Sequence, residues 1–237
     1  MIAPTPLNSP DAMLVPVDPT AVSRLVEGLD LCSEGIGEVR PDWSSDLVWL
    51  SPADERHFKL FEQMFEALGI ADHVRDRLDL RRAPRLYSGF ILRRSRCDAA
   101  HFHTDWRGCQ GQAYTFITAI DEASEGFGLL YRDCDGTVVS YDYRPGEGIL
   151  FGDDFSHSTR PGARDEPLTL LCFEFGTDRM HYWPKIFGCI EGQSLLLRRP
   201  DGKIVLGRRA RPLLGRLLGN AATRLPRLAR AIKSLLG

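Results

Sequence analysis

The spacing of apolar residues along the chain changes near residue 85. Before that point two stretches have helical spacing. Asp18-Pro-Thr opens a run in which Val22, Leu25, Val26 and Leu29 share one face, with an acidic cap and an early proline. Ser51-Pro-Ala-Asp-Glu opens a second. There Ser51 is placed to accept a bond from a free helix amide and Pro52 stands where no amide is needed. Phe58, Phe61, Met64, Phe65 and Leu68 then recur at helical spacing, for a helix of about 15 residues. Residues 1–17, with scattered Pro, Ser and Asn, read as an extended lead-in.

From Arg85 onward the period is two. Short runs rich in Val, Ile, Tyr, Phe and Thr predict strands over Tyr87–Leu92, Ala113–Ile120, Gly126–Arg132, Thr137–Tyr143, Gly148–Phe151 and Leu168–Phe175. Asp133-Cys-Asp-Gly, Arg144-Pro-Gly-Glu-Gly and Arg160-Pro-Gly are turn sequences between them. Many short strands at this spacing imply an antiparallel sandwich or barrel, not a parallel α/β sheet. A further hairpin is expected where Leu195-Leu-Leu-Arg-Arg and Ile204-Val-Leu flank Pro200-Asp-Gly-Lys. Beyond it, leucines at helical spacing among Arg and Lys predict two short basic amphipathic helices, broken at Gly219 and Pro226. The pattern divides the chain into supporting helices (1–84), a β core (85–191) and a hairpin with a basic tail (192–237).

Composition adds bounds. With 237 residues and 43% hydrophobic content the chain can bury a core that needs neither metal nor disulfide, so a metal here would serve chemistry. Six cysteines without a C-x-x-C pair read as free thiols, and with no signal-peptide core or membrane-length apolar run the expected location is cytoplasmic. The net charge of −2 conceals an asymmetry: residues 192–237 hold eleven basic residues and one acid, a net of +10, so the preceding 191 residues carry −12. Such a tail either packs on the acidic body or contacts an anionic partner or a membrane surface. Nucleic acid is not an expected partner, because no aromatic residue follows Phe187 to stack on bases.

The chemistry is concentrated in His101-Phe-His103-Thr-Asp105. In an extended segment these three side chains share a face. His157, just past a predicted strand, offers another imidazole. Two imidazoles and a carboxylate on one octahedral face leave three positions for a chelating co-substrate and oxygen, the arrangement of non-heme Fe(II) oxygenases. The interval of 52 positions from Asp105 to His157 suffices for several strand-and-turn units, so the chain can return to its starting place.

His103-Thr-Asp105, His157 and the intervening Tyr143-Arg-Pro-Gly-Glu-Gly-Ile-Leu-Phe-Gly-Asp resemble the iron and 2-oxoglutarate-dependent oxygenases. The likeness spans roughly residues 85 to 176. It implies an α+β chain with an antiparallel jelly-roll (double-stranded β-helix) core, N-terminal helices packed on it and the basic helical tail appended. It also implies His103, Asp105 and His157 as ligands of Fe(II). The implied activity is an Fe(II)/2-oxoglutarate-dependent dioxygenase that uses O2 to hydroxylate a small-molecule or peptide-bound substrate, releasing succinate and CO2. Members of the family usually hold the far carboxylate of 2-oxoglutarate with a basic residue about ten positions after the second His. Pro167 stands there, which shifts the expectation to Arg164 and Arg160, with Arg93 and Arg94 behind them and Tyr87 and Thr169 as neutral donors.

Two other readings remain open at this point. In a cupin-like protein on a related barrel, His101, His103 and His157 would hold the metal without 2-oxoglutarate. In a catalytically silent jelly roll the basic tail would act as a binding module.

Overall fold

A computed structural model describes residues 4–9, 11–44, 46–120 and 127–210. In chain order its strands are β1 (Thr5–Pro6), β2 (Ala12–Pro16), β3 (Ile36–Val39), β4 (Leu47–Pro52), β5 (Arg85–Cys97), β6 (Ala113–Ala119), β7 (Leu129–Arg132), β8 (Val138–Tyr141), β9 (Glu147–Phe151), β10 (His157–Thr159), β11 (Gly162–Gly176), β12 (Leu196–Arg198) and β13 (Ile204–Leu206). The α-helices are α1 (Pro19–Glu27), α2 (Glu55–Leu68) and α3 (Trp183–Ile190). The predicted basic helices after Arg211 lie outside the described residues.

The strands form a large antiparallel sheet, ordered β1-β2-β9-β6-β11-β5-β4-β3, and a small one, ordered β10-β7-β8, with β12 and β13 as a separate hairpin. Alternation of side chains turns one face of the large sheet toward the small sheet. Phe90, Ile117, Ile149, Leu168 and Leu170 from the former bury themselves with Leu129 and Tyr131 from the latter and with Phe155 just before β10. The opposite face is covered too: Leu86, Ile91, Phe116, Leu171 and Phe173 pack with Phe58, Phe61, Met64 and Phe65 of α2. A sheet buried on both sides loses its polar alternation, which is why all seven residues of β6 are buried. The result is the antiparallel jelly-roll architecture expected from the period-two region.

Four strands precede residue 85, where the apolar pattern gave none. β1 and β2 edge one side of the large sheet, β3 and β4 the other. The second helix also starts later than its Ser-Pro signal implies. Ser51 and Pro52 end β4, and the cap of α2 is Asp54, whose carboxylate accepts from the His57 amide at 2.8 Å. Ser51 Oγ instead accepts from the Leu195 amide at 3.0 Å, which ties the C-terminal hairpin region to the sheet. In α1 the Asp-Pro start works as read, with Asp18 accepting from the Thr20 and Ala21 amides. α3 was not foreseen, being a short apolar turn of helix without a side-chain cap.

α2 approaches β5 at Gly89, where an added Cβ would stand 2.6 Å from Phe61 Cδ1 and 2.9 Å from Phe61 Cβ. Phe61 is fully buried and cannot retreat. Gly89→Ala is therefore expected to destabilise the fold by about 1–3 kcal/mol through overpacking. Thermal or urea unfolding checks this, and an unchanged midpoint would contradict the described helix–sheet contact.

Candidate metal centre

His103 and His157 are neighbours across a backbone bridge. Each donates its amide to the other's carbonyl at 2.9 Å, which adds residue 103 to the edge of the small sheet beside β10. The two rings then lie 4.5 Å apart, centroid to centroid. Four strands, β6 to β9, carry the chain from one histidine to the other.

The imidazoles are oriented by backbone carbonyls. His103 Nδ1 lies 3.0 Å from the His101 carbonyl oxygen, and His157 Nδ1 lies 3.1 Å from that of Phe155. A carbonyl only accepts, so each Nδ1 carries the proton and each Nε2 lone pair faces inward. Asp105 completes the set. Its Oδ1 stands 3.5 Å from His103 Nε2 and 3.7 Å from His157 Nε2. Its Oδ2 accepts from Thr115 Oγ1 at 3.1 Å, and that hydroxyl accepts from Trp106 Nε1 at 3.0 Å. The relay through buried Trp106 and Thr115 fixes the carboxylate and leaves Oδ1 for the centre.

One ligand atom from each of the three residues lies within 4.8 Å of the others, and among the described residues no further His, Cys, Asp or Glu joins them. Two neutral imidazole nitrogens and one carboxylate oxygen, each steered by a second hydrogen bond, suit a divalent transition metal. His157 is almost wholly buried, and burial lowers its pKa, which favours the neutral, coordinating ring. His101 contributes its carbonyl to His103 and stays outside the set, so the converging residues are not the His101, His103 and His157 of the cupin alternative. Asp153 binds the Gly111 amide and neither ligating ring.

The three residues line a cavity of about 660 Å³ between the sheets. Along the strands, alternate residues reach it: Phe90, Leu92 and Arg94 from β5, Leu168, Leu170 and Cys172 from β11, Thr115 and Ile117 from β6. The expected carboxylate anchors lie elsewhere. Arg160 is bound at 2.7 Å to both Asp142 and Ser140. Arg164 falls in the break of the β5–β11 register between Ala163 and Leu168, and it does not line the cavity. Tyr87 sits at a second register shift and donates to the Thr177 carbonyl at 2.6 Å, while Thr169 Oγ1 turns to the Pro167 carbonyl.

The guanidinium that lines the cavity beside this break is that of Arg94, which pairs in register with Leu168, one residue beyond Pro167. A basic group thus reaches that part of the barrel from the adjacent strand. Arg94 Nη1 donates to Thr159 Oγ1 at 2.9 Å, and Nε is shared between the Arg96 carbonyl at 2.8 Å and Asp46 at 3.3 Å. Tyr143, also lining the cavity, is buried and its phenol pKa is pushed well up, so it stays protonated. Thr115 and Thr159 carried no signal in the sequence, because each is an ordinary strand residue that only register brings to the site, whereas Tyr143 headed the stretch that carries the resemblance without a role assigned to it.

Behind Asp105 lies Glu174, fully buried on β11. The Ser88 hydroxyl beside it is engaged with Ser194, and neither Glu174 oxygen has a hydrogen-bond partner in good geometry. Burial, with the Asp105 charge added, raises its pKa well above the usual carboxylate range and keeps it protonated. The folded state therefore holds a proton that the unfolded chain releases above the ordinary value of 4.5, and stability falls as pH rises from there. Glu174→Gln, which cannot ionise, should flatten that decline and raise the melting temperature more at pH 8 than at pH 5. Melting curves across this range test it, and an equal shift at both ends would contradict a protonated Glu174.

No protein-family model and no curated protein matches the chain. Solved structures do. The non-heme alpha-ketoglutarate-dependent epimerase SnoN from nogalamycin biosynthesis aligns with a TM-score of 0.56 at 13% identity, over 71% of this chain and 77% of that one. HygX from Streptomyces hygroscopicus, with nickel and 2-oxoglutarate bound, aligns at 0.52 and 13% identity over 70% and 83%. An oxidoreductase of the 2OG-Fe(II) oxygenase family from Burkholderia pseudomallei aligns at 0.50 and 15% identity over 70% and 84%. The chain has the fold of the iron and 2-oxoglutarate-dependent oxygenases and carries within it their His-X-Asp…His set, here His103, Asp105 and His157.

Proposed function

We propose that the protein is an Fe(II)/2-oxoglutarate-dependent dioxygenase that hydroxylates a C–H bond of a small-molecule substrate. The observation that carries the reading is the aim of three ligand atoms at one point, within 4.8 Å of one another, each fixed by a second hydrogen bond. His103, Asp105 and His157 are the metal ligands in this reading. Iron held there with 2-oxoglutarate and O2 supplies an oxidant strong enough to remove hydrogen from an unactivated carbon, with succinate and CO2 as co-products.

The chain's own residues account for the rest. Arg94, Thr159 and Tyr143 take the far carboxylate of 2-oxoglutarate: a fixed guanidinium supplies charge-assisted donors, and the phenol stays protonated to donate. Asp46 and the Arg96 carbonyl hold the guanidinium in position before the co-substrate arrives. Apolar walls from Phe90, Leu92, Ile117, Leu129, Leu168 and Leu170 exclude water from the reacting carbon.

Anaerobic titration with Fe(II) and 2-oxoglutarate tests the reading through the visible charge-transfer band of the chelate. The wild type should develop the band, and Asp105→Ala should not. Arg94→Met should still bind iron but need roughly 10- to 100-fold more 2-oxoglutarate, the loss of charge-assisted hydrogen bonds worth about 1.5–3 kcal/mol. An iron-loaded wild type without the band, or an Arg94→Met protein with unchanged demand for 2-oxoglutarate, would contradict the proposal. Since the solved neighbours include an epimerase, product mass decides the outcome of turnover: one added oxygen atom supports hydroxylation, and an unchanged mass contradicts it.

A further inference from the structure

We infer that the substrate carries an oxyanion group on a flat apolar body, with the anion bound by Arg107 and Arg208 at the cavity mouth and the flat body seated on Trp43. This rests on the oxygenase reading and narrows it to a substrate class. Among the described residues four guanidinium groups line the cavity, from Arg94, Arg107, Arg208 and Arg209, against the single carboxylate of Asp105, which faces the metal position. They do not serve the same end. Arg94 is held inside by Asp46. Arg209 is neutralised by Asp42, which accepts from it through both oxygens at 3.1 and 3.2 Å.

Arg107 and Arg208 are different. Neither forms an ion pair among the described residues, although the Arg208 charge helps Arg209 hold the Asp42 carboxyl below its usual range. Arg107 Nε reaches only the Thr104 hydroxyl at 3.2 Å, and the Arg208 backbone is pinned by its amide to the Glu191 carbonyl at 2.7 Å, which leaves its side chain for the opening. Both side chains are exposed and line one cavity without an ion pair of their own, so their donors are open to an anionic group. Arg107 follows Asp105 by two residues, so an anion bound there lies within a small molecule's length of the metal position.

The setting strengthens the case. Arg107 stands on a body whose first 191 residues carry a net charge of −12, and Arg208 comes from the basic stretch after residue 192, so the two together put positive charge at the opening that steers anions to the site. Trp43 lines the same cavity with 66% of its surface exposed, braced edge-to-face on Trp49 at 6.4 Å. An exposed, braced indole beside unpaired guanidinium groups matches an aromatic or otherwise flat body bearing phosphate, sulfate or carboxylate.

The test uses the full chain loaded anaerobically with Fe(II) and saturating 2-oxoglutarate, titrated calorimetrically with 2-naphthyl phosphate, 2-naphthyl sulfate, 2-naphthoate and neutral 2-naphthol. The chelate band is recorded on the same samples. At least one anionic probe should bind roughly tenfold or more tightly than naphthol. Arg107→Gln/Arg208→Gln should abolish that advantage while retaining the band and the naphthol affinity, and Arg56→Gln, on the exposed face of α2, should leave it unchanged. Trp43→Ala should weaken all four probes and preserve their ranking. A wild type without anion preference, or a double variant that keeps it, overturns the inference while the band stands. Loss of the band with the preference intact overturns the oxygenase reading instead.

Discussion

The paired backbone hydrogen bonds between His103 and His157 are the constraint on which the site depends. They join a segment just after the first long strand of the jelly roll to one near its end, and they set two imidazoles side by side before any metal is present. The carbonyls of His101 and Phe155 then choose the tautomer of each ring. A centre assembled from main-chain geometry needs little reorganisation on binding, because the backbone amides and carbonyls involved are already required by the sheet. Asp105 is the exception. It sits on an irregular loop, and side chains, Thr115 and Trp106, hold it in place.

The large sheet is the second half of this arrangement. Its inner face supplies the cavity wall, and its outer face is closed by α2, so the strands that carry Arg94, Thr115 and Leu168 are packed from both sides. Interiors packed this way resist small displacements. That rigidity fixes the distance between the Arg94 guanidinium, paired in register with Leu168, and the point on which His103, Asp105 and His157 converge.

Much of this was legible in the chain. Period-two runs marked the core strands, and the His-X-Asp spacing of His103-Thr-Asp105 with a later His157 marked the centre, although that segment is a loop with one bridge residue and not the extended strand expected. What was not legible depends on register. On paper Arg164 and Arg160 stood ahead of Arg94 as anchors; a bulge in β11 carries Arg164 out of the cavity, and pairing with Leu168 brings Arg94 in. β2, β3 and β4 escaped notice because they come from segments with mixed apolar spacing and are recruited to the edges of a sheet that already exists. Arg208 joined the cavity only because a hairpin seen as part of a tail folds back over α3.

Crystals of the protein soaked anaerobically with Fe(II), with data collected on both sides of the iron absorption edge, test the central claim most directly. The account predicts one anomalous peak bonded to Nε2 of His103, Nε2 of His157 and Oδ1 of Asp105. A peak on the other nitrogen of either ring, one that includes His101 in place of Asp105, or no peak between the two histidines would contradict it.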